Sequence, residues 1–270
     1  MPGIFVFRDF GISMLRDFDA SMFRDYTFFS IRIFMSLLRA FSDFFFPRYC
    51  CMCERRLAVA EEEFCSKCLR TLNRIEYEGG EVHGVIERLF WGRIPIVRAT
   101  SMFQYEGEQT RRILHNIKYF DRPEAAVVLA RVFAREQAGT DFFDGIDMII
   151  PLPLAKQKRR KRGYNQCDYI ARGLSLQTGI PVVDDVAIRA VNNPTQTHLD
   201  HEQRKENVKG IFQLVNPGKI ADRHVLIVDD VITTGSTLLS FAEEIAKAPG
   251  VSISVFSLAF AGQMVKAALP

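Results

Sequence analysis

No glycine-rich GxxxxGK[ST] segment follows any apolar run in this chain of 270 residues, which excludes a Walker-type phosphate loop. The basic start and small-residue cleavage site of a secretory signal are missing. No apolar stretch is both long enough and free enough of charge for a confident membrane span. Charge of one sign is scarce too: 35 Lys and Arg against 32 Asp and Glu leave +3, too little by itself to argue for nucleic acid. A disulfide scaffold is not expected. Four of the six cysteines fall in CxxC pairs, which favours metal and a reducing, cytoplasmic setting. Charged residues at 25% and hydrophobic ones at 48% fit an ordinary soluble chain, long enough for one α/β domain plus a small module.

What is present is concentrated in Val225–Thr237, VLIVDDVITTGST. Val225, Leu226, Ile227 and Val228 form a continuous apolar run, as a strand covered on both faces of a parallel sheet does. Asp229 and Asp230 follow where that strand is expected to emerge, at the carboxyl edge where open α/β sheets bind ligands. Thr233, Thr234, Gly235, Ser236 and Thr237 then supply hydroxyls, a glycine and successive N–H groups, and the periodic segment Leu238–Ala246 reads as a helix. The turn therefore sits at a helix N-terminus, a ready site for phosphate. Two carboxylates would repel a bare phosphate. They suit a sugar phosphate, whose vicinal hydroxyls donate to them while the turn holds the phosphate. The plain alternative is a buried strand with an Asp-capped turn.

These thirteen residues resemble the signature with which type I phosphoribosyltransferases bind 5-phosphoribosyl pyrophosphate (PRPP). Other segments extend the likeness. Cys50-x-x-Cys53 and Cys65-x-x-Cys68 are separated by eleven residues, and two such knuckles bring four thiolates to one tetrahedral zinc ion. Farther on stand PLPL, the basic run Lys156–Arg162, Gly163-Tyr164-Asn165-Gln166, and Gln203–Val208. In this order the motifs resemble the ComF family, with ComF and GntX among its members, over roughly Ser36–Ala261. Gln203 departs from the pattern, which has Glu directly before the Arg. The resemblance implies an α/β fold: a type I phosphoribosyltransferase-like parallel sheet flanked by helices, with a small N-terminal four-cysteine zinc module. It also implies a link to DNA uptake and natural competence.

Three parts are expected along the chain. Residues 1–35 are read as an N-terminal extension, disordered or loosely docked, with Phe7-Arg-Asp-Phe10, Leu15-Arg-Asp-Phe18 and Phe23-Arg-Asp-Tyr26 repeating every eight residues. Residues 36–75 hold an amphipathic helix and the four-cysteine module, and residues 76–270 the phosphoribosyltransferase-like domain. The helix, within Thr27–Phe46, aligns Arg32, Ser36, Arg39 and Asp43 on one stripe; it suits a membrane surface, a partner or the protein's own body. Ile94–Tyr105 reads as a strand pair, Glu108–Phe120, Ala125–Gln137 and Gln166–Gln177 as helices. Asp147–Leu154, Val225–Val228 and Val251–Leu258 read as strands, and Pro181–Val191 as an extended stretch.

If the chain is an enzyme, the resemblance implies transfer of a 5-phosphoribosyl group as pyrophosphate leaves, mostly by positioning and charge neutralisation. Mg²⁺ accompanies PRPP in that reading, and zinc is structural. Asp229 and Asp230 orient the ribose hydroxyls, with Asp230 also serving the metal through water. Thr233–Thr237 hold the 5′-phosphate, and Arg162 and Lys156 meet the pyrophosphate. Lys118 coincides with a further family position without an assigned role. The basic run is read as a flap over pyrophosphate, ahead of a nucleic-acid contact or a solvated loop. Cys51 is a spare metal ligand, and Cys167 a small helix residue rather than a nucleophile. The acceptor is not legible, and no glutaminase machinery or N-terminal cysteine nucleophile is present. The competing reading is a non-enzymatic competence accessory protein that binds single-stranded DNA or a partner of the uptake machinery.

Overall fold

The computed structural model describes residues 41–75, 86–119, 122–190 and 210–262. The eight-residue repeats, the Gln203–Val208 motif and the expected helix before residue 41 lie outside them. In chain order the elements are α1 (Ser66–Thr71), β1 (Ala99–Gln104), α2 (Gly107–Tyr119), α3 (Glu124–Glu136), β2 (Met148–Pro151), α4 (Lys156–Arg162), α5 (Gln166–Thr178), β3 (Ala187–Arg189), β4 (Phe212–Leu214), β5 (His224–Ile232), α6 (Ser236–Ile245) and β6 (Ser252–Phe260). Four strands form a parallel sheet in the order β1-β6-β5-β2, and β3 and β4 form an antiparallel pair.

The VLIV run explains the centre of the sheet. All four side chains are fully buried, and they alternate between two apolar clusters. Leu226 and Val228 join Leu129, Phe133, Ile170 and Leu174 of α3 and α5. Val225 and Ile227 join Leu238, Phe241 and Ile245 of α6. A strand covered on both faces needs this continuous apolar pattern, and each fully buried aliphatic side chain contributes about 1.5–3 kcal/mol. On one face α3 and α5 approach closely at Gly173, where a Cβ would stand 2.5 Å from the Val127 carbonyl oxygen.

The strands are not equal in length, and that creates the site. β2 stops at Pro151, opposite Val228, so β5 runs on past its neighbour with Asp229 and Asp230 beyond the end of β2. On the other side β6 still accompanies β5, pairing Asp229 with Ser257 and Ile232 with Phe260.

Two expectations change. Ile94–Tyr105 contains one strand, Ala99–Gln104, not a pair. Pro95 lacks an N–H for a ladder, and the chain there joins β6 through Val97 N–H to the Ile253 carbonyl and Val255 N–H to the Arg98 carbonyl, both at 2.8 Å. The basic run is helix α4 rather than a loop. Lys, Arg and Gln are good helix formers, and Gly163 ends the helix at φ +81°, donating to the Arg159 carbonyl at 2.8 Å.

The cysteine segment docks on α2 and α3. Cys50, Cys51, Met52, Phe64, Cys65 and Cys68 share one buried cluster with Ile113, Leu114, Ile117 and Ala125. Arg122 donates to the Tyr49 carbonyl at 2.8 Å and pairs with Glu63 at 2.6 Å. Among the described residues no helix is long and apolar enough to cross a membrane.

Candidate functional site

A cavity of about 920 Å³ opens at the carboxyl end of β5. Its floor holds Asp229 and Asp230, only 8% and 5% exposed. Asp229 Oδ1 accepts from the Asp230 N–H at 2.7 Å and lies 3.6 Å from Cys167 Sγ. Burial, then the charge of Asp230, pushes the Asp229 carboxyl up to about 7, against the pull of the Asp230 N–H and Lys118. Lys118, near the end of α2, places Nζ 2.8 Å from Asp230 Oδ2. The two form an ion pair, and Oδ2, a buried carboxylate oxygen able to accept twice, has no further partner among the described residues. Burial opposes the charge on Lys118, but Asp230 and then Asp229 outweigh it, and its pKa is raised.

Above the carboxylates the chain turns into α6. Gly235 adopts φ +71° as the residue before the helix, a conformation that disfavours a side chain. A Cβ on Gly235 would also meet Leu89 at 3.1 Å. Thr234 Oγ1 and Ser236 Oγ lie 2.9 Å apart, and the Ser236 N–H points toward Thr234 Oγ1 at 3.4 Å. The first N–H groups of a helix have no partner within it. Thr233–Thr237 line the same cavity as the carboxylate pair, an arrangement suited to an anion.

Cations close the remaining walls. Lys158 and Arg162, four residues apart on α4, face the cavity half-buried, whereas Lys156, Arg159, Arg160 and Lys161 are exposed. Burial, then Arg189 and Arg162, lowers the Lys158 pKa. Arg189, from β3, lies 5.3 Å over the Phe212 ring, and its buried Nε has no hydrogen-bond partner among the described residues. Burial lowers its pKa while Asp229 pulls the other way. Three cations on one cavity, close enough for Arg189 and Arg162 to depress Lys158, fit a ligand carrying several negative charges.

The RGYNQ segment holds this arrangement together. Asn165 Oδ1 accepts from the Cys167 N–H at 3.3 Å, capping α5, and its Nδ2 donates to the Leu152 carbonyl at 3.1 Å. Arg162 donates to Gln166 Oε1 at 2.7 Å, and Tyr164 donates to the Ile117 carbonyl at 2.5 Å.

The four expected metal-ligating cysteines also meet. The Sγ atoms of Cys50, Cys53, Cys65 and Cys68 all lie within 4.8 Å of one another, with Cys53 exposed and the others buried. Cys53 and Cys65 Sγ are 3.8 Å apart. Four sulfurs about 2.3 Å from a common centre define a tetrahedron with edges of about 3.8 Å, so the donor set fits zinc. Burial raises the Cys65 thiol, but hydrogen bonds from the Cys68 N–H and the neighbouring thiols bring it down to about 7. Cys51 is not a spare ligand. Asn116 donates to its carbonyl at 2.8 Å and to its Sγ at 3.3 Å, and burial pushes its thiol up to about 11.

The phosphoribosyl transferase domain family matches residues 161–266. DNA utilization protein YhgH of Salmonella typhimurium is 29% identical over 223 residues, covering 78% of this chain and 96% of that protein. Competence protein F of Haemophilus influenzae is 28% identical over 227 residues, covering 80% and 98%. The chain carries a phosphoribosyl transferase domain and is a homologue of competence protein F. A solved adenine phosphoribosyltransferase of Saccharomyces cerevisiae is 18% identical over 52% of this chain and 71% of its own, with TM-score 0.35, too distant to add to the argument.

Of the residues expected in the phosphoribosyl site, Asp229, Asp230, Arg162 and Thr233–Thr237 line one cavity. Lys156 does not: it is on the exposed side of α4, where Lys158 faces inward instead. Lys118, Lys158 and Arg189 line the same cavity, and sequence reasoning left them without a role. The four-residue spacing from Lys158 to Arg162 was a usable signal once the run is a helix. Nothing local marked Arg189. Cys167 Sγ lies 3.6 Å from Asp229 Oδ1 in the core, and burial, then Asp229, pushes its thiol well up, as for an inert buried cysteine.

Proposed function

We propose that the cavity binds PRPP with Mg²⁺ and that the chain transfers its 5-phosphoribosyl group, in the service of DNA uptake. The observation that carries this reading is the meeting, in one cavity, of a buried carboxylate pair with a hydroxyl-rich helix N-terminus and converging cations. The Thr234 and Ser236 hydroxyls and the first N–H groups of α6 hold the 5′-phosphate. Asp229 and Asp230 accept from the ribose hydroxyls. Lys118, Lys158, Arg162 and Arg189 neutralise the pyrophosphate, whose charge grows as its bond to C1 breaks. The unfilled acceptor direction of Asp230 and the two adjacent carboxyls fit a hard, water-keeping cation. Mg²⁺ bound there would offset phosphate charge. The names of the relatives, a DNA utilization protein and a competence protein, support the cellular setting. Zinc in the four-cysteine cluster is structural in this reading, because the thiols are mostly buried and knit into the core.

The test is release of pyrophosphate from PRPP and Mg²⁺ across a panel of nitrogenous and nucleotide acceptors. Turnover that Asp229→Asn removes supports the reading; no release with any acceptor by a protein that binds PRPP makes this a binding protein. The exposed cations Lys156, Arg159, Arg160 and Lys161 favour a second reading, contact with single-stranded DNA. Reversing those four charges would weaken DNA binding and flatten its salt dependence, and leave PRPP binding unchanged.

A further inference from the structure

We infer that the four-cysteine module is a positioning element for the phosphoribosyl site, acting through the last turn of α2 on Lys118. This rests on the cavity being the PRPP site. The last turn of α2 is gripped from two sides. On one, Asn116 Nδ2 donates to the Cys51 carbonyl at 2.8 Å and to Cys51 Sγ at 3.3 Å, inside the knuckle of Cys50 and Cys53. Glu54, next in that knuckle, pairs with Arg112 one turn earlier on the helix at 3.0 Å. On the other side, Tyr164 donates to the Ile117 carbonyl at 2.5 Å, and Arg162 lies 5.1 Å over the Tyr119 ring. The last carbonyls of a helix have no partner within it, so the Tyr164 hydroxyl fills an acceptor that would otherwise stand open.

Between the two grips sits Lys118, whose Nζ is 2.8 Å from Asp230 Oδ2. Its neighbour Ile117 is buried in the cluster that contains Cys50, Cys51, Met52 and Cys65. Module and ion pair are therefore two residues apart on one helical turn. A knuckle of this size takes its order from its metal, since structural zinc contributes directly to folding. Loosening the knuckle frees the Cys51 carbonyl from Asn116 and lets the turn carrying Lys118 move away from Asp230. The cysteine module is then more than a separate handle for a partner: metal occupancy sets the geometry of the cavity floor.

The experiment is a double-mutant cycle on the full chain, with zinc content measured in every variant and PRPP affinity in Mg²⁺ measured by calorimetry. Asn116→Ala is expected to weaken PRPP about tenfold with zinc retained, and its effect to fall below about twofold in the Lys118→Met background. Tyr164→Phe, which touches the same turn from the far side, is expected to behave likewise. Equal losses in both backgrounds, or none, overturn the inference, because a purely structural contact adds independently of Lys118. If the parent protein binds no PRPP, the ligand reading fails and the coupling is read from the ¹⁵N resonance of the Lys118 ammonium. A shift on zinc chelation and in Asn116→Ala supports the coupling; an unmoved resonance overturns it.

Discussion

Replacing Asp229 with Asn is expected to stabilise the ligand-free protein near neutral pH while destroying its site. The Asp229 carboxyl titrates at about 7 in the folded chain, against an ordinary value of 3.8. Its folded pKa is thus raised, and the sign follows. Between those values the unfolded chain has released this proton and the folded chain still holds it, so stability falls as pH rises. Each pH unit in that window is worth about 1.4 kcal/mol, or roughly 2–3 kcal/mol from pH 5 to pH 7. An amide at this position does not ionise, and its oxygen can still accept from the Asp230 N–H that now bonds Asp229 Oδ1 at 2.7 Å. The stability gap between variant and parent should therefore widen in the variant's favour by roughly 2–3 kcal/mol over those two units. For a domain of this size that is about 5–10 °C in Tm. The assay is thermal unfolding at pH 5, 6 and 7 in chelator-washed, magnesium-free buffer with zinc content checked. A gap that stays constant with pH would refute the reasoning, because Asp229 would then be held ionised by Lys118 and buried without cost. A residue that costs stability and is needed for binding is the signature of a functional site.

Cys65→Ser should lower zinc content from about one ion per chain toward none and cost several kcal/mol in urea unfolding, since structural zinc binding contributes directly to folding; a metal-free parent with full stability would remove the zinc assignment. Lys158→Glu with Arg162→Glu should abolish measurable affinity for pyrophosphate in calorimetry and leave the fold intact by circular dichroism, both side chains being only half-buried. Gly173→Ala should destabilise by about 1–3 kcal/mol in urea unfolding, because the new methyl meets the Val127 carbonyl oxygen at 2.5 Å and the Ala130 Cβ at 2.7 Å.

The parts of this protein legible in its sequence are those where one local pattern has one physical solution. VLIV can be a strand buried on both faces, and it is, with alternate residues in separate apolar clusters. The hydroxyl turn before α6 and the pairing of the two CxxC knuckles were legible for the same reason. What was hidden depends on distance along the chain. Lys118 meets Asp230 across more than a hundred residues, and Arg189 reaches the cavity from a strand of three residues whose pattern is weak. The basic run, read as a flexible flap, is a helix because helix propensity and the Gly163 cap were the stronger forces. Pro95 similarly cut short a stretch whose β-branched residues otherwise promised a strand pair.

Calorimetric titration of PRPP into the zinc-loaded chain, with and without Mg²⁺, tests the central claim most directly. The predicted result is binding that requires Mg²⁺ and disappears in the Asp229→Asn/Asp230→Asn double variant. No binding by the folded parent protein, or binding that the double variant keeps, would contradict it.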